Sequence, residues 1–130
     1  MSIVAIRATL ESALDGMTPP LATAWENMPF TPINGIPYQR AYLMDADPDN
    51  REFGASYQEH GYLHLNLYYP QGNGTRDTGI RVDLIREYFK RGRSFDDVRI
   101  ITTPTKKASF NDGDRFVTTV QIYFNVYIIQ

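Results

Sequence analysis

Residues 115 to 129 read RFVTTVQIYFNVYII, and every even position from Phe116 to Ile128 except Thr118 is apolar. Side chains alternate between the two faces of a strand, so this period of two predicts one long β-strand with its even positions in a core. Such a strand would extend roughly 45 Å at about 3.3 Å per residue, more than twice the usual length. A bulge, a bend or an end that projects beyond the subunit is therefore expected. A second clean alternation runs from Gly61 to Tyr69, with Leu63, Leu65, Leu67 and Tyr69 on one side and Tyr62, His64, Asn66 and Tyr68 on the other. If the leucines and the even positions of the last strand share a core, the opposite face carries Tyr62, His64, Asn66, Tyr68, Gln121, Tyr123, Asn125 and Tyr127. That face is half polar and half aromatic. The chain has nine tyrosines, a residue favoured where surfaces become buried on association.

The remaining elements follow from local chemistry. Ser2 is placed to cap a helix in which Ile3, Ile6, Leu10, Ala13 and Leu14 recur at spacings of three and four, with Gly16 as its stop. After Pro19 and Pro20 a short strand over 22–26 is expected. Three prolines and Gly35 then punctuate a loop bearing Met28, Phe30, Ile33 and Ile36. Tyr38 to Met44 alternates as a further strand, and 45–50 reads as a polar turn. Pro70, Gly72 and Gly74 turn the chain into a second helix, capped at Thr75 or Asp77, with Val82, Ile85 and Phe89 inward and Gly92 as its end. Residues 98–102 form another strand, and Asn111-Asp112-Gly113 supplies the turn into the long one. The order helix, three strands, helix, two strands predicts an α+β fold: a mostly antiparallel sheet of about five strands with two helices packed on one face. A length of 130 residues is expected to make one domain over 1–130.

Charge and composition narrow the function. Thirteen basic against fifteen acidic residues leave −2, and no cationic stripe interleaved with aromatics is present, so nucleic acid is not the expected partner. Lys106 and Lys107 are the one lysine pair. The absence of cysteine removes disulfides, thiolate catalysis and sulfur-ligated zinc, and suits synthesis in a reducing cytosol. Arg7 and Glu11 interrupt the N-terminal apolar pattern, and no apolar run approaches the length of a membrane span, so neither a signal peptide nor a membrane role is expected.

No motif builds an active site. Asp45, Asp47 and Asp49 have the spacing that opens a calcium-binding EF-hand loop, but Asn50 stands where glycine is needed and Ser56 where a bidentate glutamate is needed. Gly72-Asn73-Gly74-Thr75 before a helix has the character of a phosphate cradle without its lysine. His60 and His64, four apart on a strand, would sit roughly 13 Å from one another, too far to share a metal. No catalytic residue, cofactor site or metal site is assigned, and no enzymatic activity is expected.

The segments WENMPFTPINGIPYQRAYLMDADPDN (25–50), GYLHLNLYYPQGNGTRD (61–77) and FKRGRSF (89–95), with the terminal strand, resemble the tail terminator proteins of long-tailed bacteriophages and prophages. The resemblance implies a small α+β subunit that forms a homo-oligomeric, hexameric ring, assembled in the bacterial host cytoplasm and retained in the virion tail. The ring would cap the tail tube protein, stop its polymerisation and offer a surface to a head-joining protein. A ring needs two different patches per subunit that meet head to tail. Candidates are the loop with Phe30, Ile33 and Ile36, the turn with Asn73, Thr75 and Arg76, the loop with Lys106 and Lys107, and Tyr123 and Tyr127 on the sheet face. Two alternatives remain at this stage: another head-tail joining or neck protein, and a small-molecule-binding domain, which would need a concave pocket with convergent polar groups.

Overall fold

The computed structural model describes residues 1–50 and 56–128. The long terminal strand, β8 (Arg115–Ile128), pairs antiparallel with an equally long β3 (Tyr57–Pro70). Their register holds without offset from Tyr57↔Ile128 to Pro70↔Arg115, so this pair contains no bulge. β3 begins earlier than its Gly61–Tyr69 alternation implies, and its matching length gives β8 a partner along its whole course. On its other edge β8 is met in turn by β7 (Phe110–Asp112), β6 (Thr105–Lys106) and β5 (Val98–Ile100). The irregularity falls there, in the short partners. From Phe110↔Val117 to Lys106↔Val120 the partner segment advances four residues while β8 advances three.

On the other side of β3 lies β2 (Tyr38–Asp45), antiparallel to it, and then β1 (Ala22–Ala24), parallel to β2. β4 (Ser94–Phe95) flanks β5, giving the order β1-β2-β3-β8-β5-β4 with β6 and β7 also on β8. The sheet is thus mixed and eight-stranded, larger than the mostly antiparallel sheet of about five strands expected from the sequence. Pieces of two or three residues such as β4, β6 and β7 are too short to show a period, which is why a sequence pattern misses them.

Both helices contribute to one cluster with the same sheet face. α1 (Ile3–Asp15) supplies Ile6, Leu10, Ala13 and Leu14, and α2 (Arg76–Tyr88) supplies Val82 and Ile85, with Phe89 just beyond it. They meet Leu63, Leu65 and Leu67 of β3 and Val120, Ile122, Phe124 and Val126 of β8. Ile3, assigned inward by spacing, is exposed at the helix start. Ser2 caps α1 as expected, its hydroxyl accepting from the Ala5 N–H at 3.1 Å. Gly16 ends α1 with an ordinary right-handed φ of −81° rather than the left-handed turn expected of a glycine stop. Glycine suits the position through space instead: a Cβ there would lie 3.3 Å from the Tyr88 hydroxyl oxygen.

α2 also departs from its expected ends. Thr75 holds the cap position without a side-chain hydrogen bond, Asp77 lies inside the first turn, and the helix stops at Tyr88 rather than at Gly92. Phe89, fully buried against Phe95 at 5.3 Å between ring centroids, draws the chain inward before the glycine is reached. Arg81 ties α2 to the α1–β1 connection, donating to the Pro19 carbonyl at 2.5 Å. Arg7 of α1 reaches Glu11 at 3.5 Å and Glu26 at 3.2 Å, and Glu26 in turn accepts the Leu43 N–H on the outer edge of β2. The strand expected over 22–26 ends at Ala24, and Glu26 caps the β2 edge instead of pairing as strand.

Candidate assembly surface

The sheet face turned away from the helices carries the residues that the alternation placed there. Tyr62 meets Tyr123 with ring centroids 5.1 Å apart, directly across the β3–β8 register. Thr119 donates to the Asn66 side-chain oxygen at 2.7 Å, the Tyr123 hydroxyl donates to the Gln121 side-chain oxygen at 2.9 Å, and Nε2 of Gln121 lies 3.4 Å from Nδ1 of His64. β2 extends the face with Arg40, Tyr42 and Met44, in register with Asn66, His64 and Tyr62. Most of these side chains are half-buried by one another, so the face is a knit polar and aromatic layer with its outer side open.

Burial explains its electrostatics. The His64 pKa lies below its usual 6.5 because partial burial disfavours the imidazolium, against an opposing hydrogen bond to the Asn66 side chain that favours it. Burial likewise raises Tyr68, helped by neighbouring Tyr38 and opposed by Arg40. No base faces a nucleophile here. Among the described residues no group of three or more histidine or acidic side chains is placed to hold a metal ion. His60 and His64 both lie on β3, so the strand spacing that separates them applies.

At the Pro70/Arg115 end of the β3–β8 pair the face becomes a packed corner. Tyr38 and Tyr68 stack with centroids 4.6 Å apart and planes 2° from parallel, and Phe30 leans on Tyr38 at 5.2 Å. Arg115, only 6% exposed, sits 5.0 Å from the Tyr38 ring centroid and donates to the carbonyls of Ile36 at 2.6 Å and Ile33 at 2.7 Å. Those bonds hold the proline-rich loop on the sheet while its apolar side chains face outward, Ile33 67% and Ile36 51% exposed. Next to it the Gln71 N–H donates to the Asp114 carbonyl at 3.0 Å, which joins the 71–75 turn to the turn that enters β8.

The residues singled out in the sequence therefore separate into groups. Phe30, Ile33 and Ile36 stand in the loop held at this corner, and Asn73, Thr75 and Arg76 follow Gln71 in the adjoining turn; all but Phe30 are exposed. Lys106 lies on β6 opposite Val120, and the Lys107 N–H donates to Thr119, so both stand on a paired edge instead of a free loop. Tyr123 is midway along the open face. Tyr127 pairs with Gln58 near the opposite end, about 40 Å from Arg115 at ~3.3 Å per residue. Sequence reasoning missed Arg115, Arg40 and the buried Tyr38. A lone arginine on the tyrosine-bearing side of a strand is a signal, yet its partners are 79 and 82 positions away in the chain.

A family model described as phage tail terminator protein matches residues 5–124. None of the curated proteins matches the sequence. One solved structure, of a protein known by a sequence identifier alone, is similar with a TM-score of 0.78 at 25% identity, over 100% of this chain and 99% of that one. With 5–124 spanning both helices and nearly the whole sheet, the chain belongs to the phage tail terminator family, a family of structural virion proteins.

Proposed function

We propose that copies of this chain close into a ring on the end of the tail tube, halting its polymerisation and offering the opposite side to a head-joining protein. The observation that carries this reading is the corner built around Arg115. Three segments far apart in sequence are anchored together there and present exposed Ile33 and Ile36 beside the polar turn of Asn73, Thr75 and Arg76. Anchored apolar side chains lose little further entropy on binding, which is what an assembly contact needs. The open tyrosine-rich face supplies a second, chemically different surface, so each subunit has unlike faces to offer to the tube and to a head-joining protein.

Mixing the purified chain with its tail tube protein is the direct test. Capped, short tubes are expected, and unchanged tube lengths at saturating concentration would falsify the reading. Particles lacking the protein separate it from a joining role: overlong tails indicate a terminator, finished but unattached tails a joint.

A further inference from the structure

Below the C-terminal end of α2 lies an open groove of about 630 Å³, with Met17, Leu84 and Tyr88 among its walls and Lys90, Arg91 and Arg93 among its lining. Glu87 is the acidic residue among those lining it. Arg93 is already engaged, 4.5 Å from the centroids of both Tyr88 and Phe95 and donating to the Tyr88 carbonyl at 2.8 Å. Lys90 and Arg91 are exposed and make no ion pair among the described residues. On the far edge of the sheet, the segment from Met44 to Pro48 is also exposed, and Asp45 and Asp47 make no ion pair among the described residues either.

The two charged edges stand at one level. Asp45 is in register with Gly61, Gly61 with Phe124, and Phe124 with Ile100, whose N–H donates to the Arg93 carbonyl and whose own carbonyl accepts from Gly92. One cross-strand row thus runs from the acidic edge to the cationic one, over four interstrand steps of about 4.8 Å. Cyclic closure carries one side of a subunit onto the other side of its neighbour by rotation, with no shift along the axis, so mating patches must stand at equal height. Opposite ends of a single row meet that condition when the strands run along the axis.

We propose that the Asp45–Asp47 turn of one copy docks on the Lys90–Arg91 rim of the groove in the next copy, and that this is the head-to-tail contact of the ring. The inference rests on the ring reading above. The Asp-Ala-Asp-Pro turn matches the groove in charge, its carboxylates facing the cationic rim.

Two charge-reversed variants test it, one carrying Asp45→Lys and Asp47→Lys, the other Lys90→Glu and Arg91→Glu. Every substituted position is exposed, so thermal midpoints should stay at the wild-type value. Alone, each variant opposes like charges and should need at least tenfold more protein than wild type to form rings on tubes. Mixed in equal amounts, the two should assemble at near wild-type concentration by alternating around an even-numbered ring. The inference is overturned if either variant alone assembles like wild type, or if the mixture fails as each alone does. Failure of the wild-type chain to form rings on tubes would instead overturn the ring reading itself.

Discussion

Nη1 of Arg115, the first residue of β8, lies 2.6 Å from the carbonyl oxygen of Ile36, a residue 79 positions earlier. With the Ile33 carbonyl on Nη2, a buried guanidinium holds an otherwise irregular loop, and the Tyr38 ring covers the cation. Buried charge is tolerated when its hydrogen bonds are satisfied, so this one residue makes the corner a defined surface.

Arg115→Ala should therefore do two things. It removes two charge-assisted hydrogen bonds and leaves the Ile33 carbonyl with only the Ile36 N–H, which costs roughly 2–3 kcal/mol, read as a lower denaturant midpoint. It should also release the 27–37 loop to limited proteolysis while the rest of the chain stays resistant. Equal protection of that loop in both proteins would show that the anchor is dispensable.

Ile33→Asp with Ile36→Asp tests the other side of the same loop. Both side chains face outward, so stability should change by no more than about 0.5 kcal/mol. Tube capping should be lost. A fully active double variant would remove this loop from the assembly surface.

Gly61 is required by close approach of backbones. A Cβ at that position would stand 2.2 Å from the Met44 carbonyl oxygen, an atom that cannot swing aside as a side-chain end could. Gly61→Ala should force β2 and β3 apart and cost on the order of 1–3 kcal/mol, measured by the thermal midpoint. A midpoint equal to wild type would mean that the two strands part there without cost.

Acid should weaken the fold through His64. Its folded pKa lies below the usual 6.5, so the unfolded chain binds the proton more readily. The contribution is complete above pH 6.5 and declines as pH falls toward the lower folded value. His64→Gln should flatten the stability profile just below pH 6.5, before carboxylates begin to titrate, as measured by chemical denaturation at stepped pH. A slope identical to wild type would place that proton uptake elsewhere.

Local periodicity was enough to place α1, β2, α2 and the two long strands, because each buries one face and each face repeats at its own period. It also assigned Tyr62, His64, Asn66, Tyr68, Gln121, Tyr123 and Asn125 to the open side of the sheet. Helix ends were less legible. Gly16 and Gly92 carry the residue type of a stop, but Gly16 is right-handed and α2 ends at Tyr88, before the buried Phe89 and short of Gly92.

By itself the sequence determined the core: alternation in 115–128 and 61–69 commits even and odd side chains to opposite faces, and a one-residue slip would turn every apolar group outward. Tertiary structure alone decided the parallel pairing of β1, the short strands β6 and β7 along β8, and the corner where Arg115 gathers residues 33 and 36. The physical reason is range. Periodicity records which side of an element is buried, whereas a hydrogen bond between residues 79 positions apart depends on how the whole chain has closed, which no local pattern encodes.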